Sequence, residues 1–149
     1  MNVLEEVKEM FLVADNHYLG AINSYNANKK GLYYKYDPTN HILNFCELAG
    51  EIYLKGYLKR NNIPYENNHN LDSIIHKCIT TDSSFQNLIH ECSLLVTFTS
   101  KINYPNELNI KESTIVKTIN SVEKIMRFSP IDKIRVELGI PLPVWKPQE

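Results

Sequence analysis

The chain has 149 residues, of which 43% are hydrophobic and 22% charged, with 16 basic and 17 acidic residues and a formal net charge of −1. These values exclude a largely disordered chain and fit one domain able to bury a core without disulfide or metal staples. No apolar run approaches the roughly 18 residues of a membrane span. No global basic excess marks a nucleic-acid binder, although a local patch stays open.

The N-terminus opens Met1-Asn2-Val3-Leu4-Glu5-Glu6, with acids where a signal peptide carries positive charge. The expectation is a soluble cytoplasmic protein that does not engage a membrane. Cys46, Cys78 and Cys92 are odd in number and far apart, without the two-residue spacing of a zinc or redox site. Each falls on an apolar period, so all three read as reduced core thiols. Heavy use of Asn, Ile, Lys and Tyr, with 13 Lys against 3 Arg, points to a bacterial genome of low GC content.

In chain order, Asn2 to Lys30 reads as a first helix. Val3, Val7, Met10, Phe11, Ala14, Tyr18, Ala21, Ile22 and Tyr25 form one stripe. Gly31 suits a left-handed cap and Lys29 and Lys30 suit the negative end of the dipole. Tyr33, Tyr34 and Tyr36 in the connector either form an aromatic binding surface or cover the bundle. Asp37 as cap and Pro38 at the first helical position open a second helix running to about Asn61. Its stripe is Ile42, Phe45, Cys46, Ala49, Ile52, Tyr53 and Gly56, widened by Leu48, Leu54 and Leu58. This makes it the central helix, and Ala49, Gly50 and Gly56 permit close approach. Pro64 stops it.

A short third helix spans Asn70 to Thr80. A fourth starts after Thr81 or Asp82 and runs to Ile102, where Asn103-Tyr104-Pro105 breaks it. A fifth opens on the capping box Asn109 to Glu112 and carries Ile115, Ile119, Val122 and Met126. A sixth runs from Pro130 to Leu138, with Ser129 as cap and Gly139 behind. The proline-rich tail with Trp145 reads as extended. No segment alternates with period two. The fold expected is all-α, an up-and-down bundle of four to five main helices with a short C-terminal helix. Residues 1–139 form the bundle and 140–149 the tail.

Lys55 and Lys59 stand one helical turn apart with Arg60 beside them, the densest basic cluster in the chain. It suits phosphate contact, or simply a solvated helix end matched to the dipole. The turn at Asn103 and Tyr104 lines a groove, or merely stops a helix. The five histidines lack metal-ligand spacing, and no phosphate-binding glycine loop or nucleophile elbow is present, so neither a metal nor a cofactor is expected.

The run Phe45 to Leu58 (FCELAGEIYLKGYL) resembles the "hCqQAaEKyLKayL" signature of HEPN domains (higher eukaryotes and prokaryotes nucleotide-binding). Asn62-Ile63-Pro64-Tyr65 with His69-Asn70-Leu71 is similar to that family's "gi.ppktHdL" segment. Asp82 to Leu95, Phe98-Thr99 and Tyr104-Pro105 resemble its next helix and "RYP" end, and Thr118 to Met126 its closing helix. The likeness covers residues 5 to 128. It implies an all-helical bundle, often dimeric, acting around nucleotides or RNA. Many members pair with a nucleotidyltransferase in toxin–antitoxin systems, and others are metal-independent ribonucleases.

The departures are specific. The family's ribonucleases place a His four to six residues after an Arg, the Arg to stabilise charge at phosphorus and the His to move protons. Here eight residues separate Arg60 from His69, and no His follows Arg127 or Arg135. Asn103 replaces the Arg of "RYP", losing a charge and up to five donors, and Lys101 points about 200° away on a helix. Glu47 and Leu48 replace polar amides, and Gly50-Glu51-Ile52 lacks the usual Glu-Lys pair. His69 is retained, as a cap for the third helix.

The expected function is a non-enzymatic, dimeric module that binds a nucleotidyltransferase or works in a toxin–antitoxin-type system. The alternatives are a ribonuclease toxin with a non-standard site or a direct nucleotide binder. The enzyme would draw on His69, His76 or His90 with Lys55, Lys59 or Arg60. Residues expected to meet a ligand or partner are Lys55, Lys59, Arg60, His69, Asn103 and Tyr104.

Overall fold

The computed structural model describes residues 1–31, 38–99 and 112–143, with only the backbone of 98 and 99. Its elements are α1 (Val3–Lys29), α2 (Thr39–Arg60), α3 (Leu71–Thr81), a 3-10 helix (Ser83–Leu88), α4 (Ile89–Thr99), α5 (Glu112–Arg127) and α6 (Ser129–Leu138). The described residues contain no strand, and their fold is all-α. The expected caps at Asp37 and Asn109, the Tyr33–Tyr36 surface, the turn at Asn103 and Tyr104, and Trp145 lie outside the described residues.

The helix ends follow side-chain chemistry. Asn2 Oδ1 accepts from the Glu5 N–H at 2.9 Å, and Asn70 Oδ1 from Ser73 at 3.2 Å. Both satisfy donors that a helix start leaves free. Gly31 and Gly139 take φ of 71° and 68°, as caps in the left-handed region do. Asn62, at φ 56°, plays the same part after α2. There Ile63 N–H reaches the Leu58 carbonyl at 2.9 Å and Asn62 N–H the Lys59 carbonyl at 3.1 Å, a Schellman closure. It turns the chain two residues before Pro64.

Three boundaries differ from the sequence reading. Pro38 precedes α2 by one residue instead of opening it, and its carbonyl takes the Ile42 N–H at 3.0 Å. Phe128, not Ser129, holds the cap position of α6. Its carbonyl accepts from both Ile131 and Asp132 at 2.9 Å, so no side chain is needed. The fourth helix begins as six residues of 3-10 helix. Asp82 Oδ1 accepts from Ser84 N–H and Oγ, which tightens that turn, and Ser83, Ser84 and Asn87 are weak α-formers.

α2 is the hub, packing against α1 most extensively and also against α3, α4, α5 and α6. From Tyr53 to Leu58 every residue of α2 is buried, because neighbours surround it. The close approach depends on two glycines. A Cβ at Gly50 would stand 2.8 Å from Leu95 Cδ1, and one at Gly56 2.7 Å from Phe11 Cε1. Phe11 is fully buried and meets Tyr53 edge-on at 5.6 Å, so it cannot yield. Gly56→Ala is expected to destabilise by about 1–2 kcal/mol despite better helix propensity. A urea midpoint at or above wild type overturns this account of the α1–α2 contact.

One charged group lies deep among these helices. Arg135 of α6 is 2% exposed. Its Nη1 donates to Asp15 Oδ2 at 2.9 Å and its Nη2 to Asp15 Oδ1 at 2.6 Å. Nη1 also reaches the Pro141 carbonyl at 3.1 Å. The Tyr53 hydroxyl donates to Asp15 as well. The guanidinium lies 5.6 Å from the Phe11 ring centroid and 5.8 Å from that of Tyr53. One buried ion pair thus ties α1, α2 and α6 to the segment after α6. Ile140 is buried and Leu142 packs on the core, so the chain from 140 to 143 continues the fold.

The three cysteines are free and buried. Burial pushes the Cys92 thiol up to about 12 and raises Cys46 and Cys78 further, from an ordinary 9.0. Tyr18 and Tyr53 are likewise raised by burial. Ellman's reagent is expected to find no thiol in the native protein and three after denaturation. These groups fold as neutral species with raised pKa. Their contribution is therefore full below the unfolded values and declines as pH rises above about 9. Urea midpoints that stay level up to pH 11 would contradict this.

Candidate functional site

The site is built where α2 meets the ten-residue connector from Asn61 to Asn70. Glu51 and Lys55 lie one turn apart on α2, and both are buried. A charge in that position needs partners, because burial removes its water. Lys55 Nζ donates to the Asn68 carbonyl at 2.8 Å and lies 3.6 Å from Glu51 Oε2. It also stands 5.7 Å from the Tyr65 ring centroid. His69 Nδ1 is 3.2 and 3.1 Å from the two Glu51 oxygens. With that carboxylate opposite it, Nδ1 is the donating nitrogen, and Nε2 is left as the acceptor.

The connector is held in register. Asn68 Nδ2 donates to Glu66 Oε2 at 2.9 Å, and Asn68 Oδ1 accepts from Asn70 N–H at 3.1 Å. Lys77 Nζ reaches the Pro64 carbonyl at 3.2 Å. His69 itself remains 80% exposed in its side chain, whereas Glu51 is 4% exposed. The arrangement is an outward imidazole oriented by an inward carboxylate, with a buried ammonium beside it. Such a group can accept or donate a proton at Nε2. Tyr65 connects this cluster to a groove of about 360 Å³, where it stands with Lys59, Asn62 and Pro64.

The basic residues singled out in the sequence part company. Lys55 is enclosed, so Lys55 and Lys59 do not form one solvent-facing pair. Lys59 Nζ meets Glu6 of α1 at 3.0 Å, and that carboxylate raises the ammonium pKa. Arg60 turns to α6, with Nε 2.7 Å from Glu137 Oε1 and Nη2 3.1 Å from Oε2. Its pKa is likewise raised by Glu137. Each of the three cations therefore has an acid from a different helix: α2, α1 and α6. His69 does not cap α3, because Asn70 does. The His76 ring nitrogen Nδ1 lies 2.7 Å from the Asp72 carbonyl, and His90 borders a separate groove with Glu91 and Lys124. Asn103 and Tyr104 lie outside the described residues.

Glu51 was not among the residues singled out in the sequence. The signal was present as a Glu–Lys pair at i,i+4. It was masked because Glu51 stands beside, not within, the apolar stripe.

Among the described residues no group of three or more His, Cys, Asp or Glu is placed to hold a metal ion. No described helix is long and apolar enough to cross a membrane. The family model for the HEPN domain matches residues 29–133. No curated protein and no solved structure matches the chain. The matched span holds Glu51, Lys55, Lys59, Arg60 and His69, whereas Glu6, Arg135 and Glu137 fall outside it.

Proposed function

The chain belongs to the HEPN-domain family, one of nucleotide-binding and ribonuclease-superfamily proteins, and from that membership we propose that it is a non-cleaving module. In this reading it pairs with a second copy of itself and docks on a nucleotidyltransferase, as one half of a toxin–antitoxin-type system in a bacterial cytoplasm. The observation that carries the reading is the neutralised cation set. No His stands four to six residues after any of the three arginines. Lys55, Lys59 and Arg60, the densest basic cluster in the sequence, are each opposed by a carboxylate. Cleaving a phosphodiester needs positive charge free to meet the developing charge on phosphorus.

The test combines light scattering with affinity capture of the tagged protein from its own host. The expected result is a dimer that retains a nucleotidyltransferase and leaves RNA intact. A monomer that cuts RNA and retains no such enzyme overturns the proposal.

A second reading draws on the Glu51–His69 pair, namely a ribonuclease with a non-standard site. It requires RNA cleavage that His69→Ala abolishes while the fold persists. Because His69 is exposed, the substitution should change stability by less than about 1 kcal/mol. Loss of cleavage would then be chemical in origin.

A further inference from the structure

We propose that residues 144–149 of this chain dock along the outer flank of α1, with Trp145 laid over Leu12 and Leu19. The described chain ends at Pro143, and its last residues are pinned beside that flank. Arg135 Nη1 donates to the Pro141 carbonyl at 3.1 Å and to Asp15 Oδ2 of α1 at 2.9 Å. One guanidinium therefore sets both the path of the tail and its distance from α1. Ile140 is buried and Leu142 packs on the core, so the segment arrives at α1 already held.

Leu12 and Leu19 stand three residues before Asp15 and four after it, on the same face of α1. Leu12 is 43% exposed, and Leu19 is only partly buried. A single exposed leucine carries little weight by itself. Here, however, two apolar side chains bracket the point at which the tail is fixed. Trp145 follows Pro141 by four residues, a span of at most about 14 Å. Neighbours one helical turn apart are separated by only about 5–6 Å, so both leucines are within its reach.

The composition of the tail suits this flank. Trp145 is the one tryptophan in the chain, and Val144 precedes it. An indole offers a large apolar body and can keep its N–H at the wet edge of a half-covered site. Pro141, Pro143 and Pro147 restrict the free segment, which lowers the entropy lost when it docks. Leu12, Leu19 and the tail all lie outside the span matched by the family model, residues 29–133. The docking joins the two ends of the chain and does not depend on the dimer and nucleotidyltransferase reading.

The lone tryptophan makes the test direct. Fluorescence of the full-length protein is measured in buffer and in urea, with acrylamide quenching, across a wide range of protein concentration. The native emission maximum is expected to lie blue of that in urea, with quenching severalfold weaker. Leu12→Gln should move the maximum most of the way to the unfolded position and restore quenching, and Leu12→Ala should give an intermediate shift. Val13→Gln alters the next residue of α1, which is 45% exposed but about 100° round the helix, and should leave the emission at the wild-type value. Circular dichroism checks that each variant is folded. Native emission and quenching equal to those in urea overturn the proposal on the wild-type protein alone. So does a folded Leu12→Gln that emits like wild type, or a shift from Val13→Gln equal to that from Leu12→Gln. A blue-shifted maximum that reverts on dilution places the tail on a second copy and likewise overturns docking within one chain.

Discussion

Replacing Arg135 by alanine is expected to lower the stability of the protein by about 3–5 kcal/mol, the usual cost of leaving one partner of a buried ion pair alone. For a chain of this size that moves the melting midpoint down by roughly 10 °C or more. Among the described residues Asp15 would keep only the Tyr53 hydroxyl as a donor, and the Pro141 carbonyl would lose the Arg135 donor. The loss should therefore appear in two places. Urea denaturation should shift globally, and backbone amides from Ile140 to Leu142 should exchange faster than the rest. Asp15→Ala should cost a similar amount by stranding the guanidinium instead.

The double variant Asp15→Leu with Arg135→Met removes both charges at nearly constant volume. It should recover most of the single-variant loss, because neither charge then remains desolvated. Additive losses in the double variant would show that the pair is not coupled as its geometry implies.

Lys55→Met is the second change with a large expected effect, about 3 kcal/mol. Among the described residues it leaves the buried Glu51 carboxylate facing only His69, and it releases the Asn68 carbonyl. The connector from Asn61 to Asn70 should become the first site of proteolysis, because Lys55 joins it to the central helix. Adding Glu51→Gln should restore much of the stability by removing the stranded charge. If Lys55→Met alone melts like wild type, the ammonium is not what keeps this carboxylate buried. The contrast with His69→Ala is informative. Both residues touch Glu51, but the exposed imidazole contributes little to stability, so a phenotype from His69→Ala would report on chemistry or binding.

Much of the architecture was legible from periodicity. Helical stripes such as Val7, Phe11, Ala14 and Tyr18 register only with a helix buried on one side, and they predicted the core of α1. The central place of α2 was also legible, since its stripe is widened by Leu54 and Leu58 and interrupted by glycines at close contacts. Local cap chemistry placed Gly31 and Gly139 at helix boundaries. It failed by one residue where the backbone carbonyl of Phe128 supplied the cap without a side chain.

The candidate site was legible only in part. Lys55 came from the basic run on one helix and His69 from the order of motifs along the chain, but their common partner Glu51 came from neither. Periodicity ranks residues by hydrophobicity, so a buried carboxylate is read as a surface position. Asp15 and Arg135, which are 120 residues apart, illustrate the same limit more sharply.

By itself, the sequence determined the helical class, the helix order, the family and the absence of a spaced Arg–His pair. Each is a property of residues close together in the chain or of their order along it. Only the tertiary structure decided which charges neutralise one another. Lys59 with Glu6, Arg60 with Glu137 and Arg135 with Asp15 join residues at least 53 positions apart. Such pairs form because packing the apolar stripes brings distant side chains within a few ångströms; burial makes the match obligatory for Arg135 and Asp15, whereas the two exposed pairs rest on proximity alone. A basic run on one helix therefore becomes three separate, internally balanced environments once the other helices close around it.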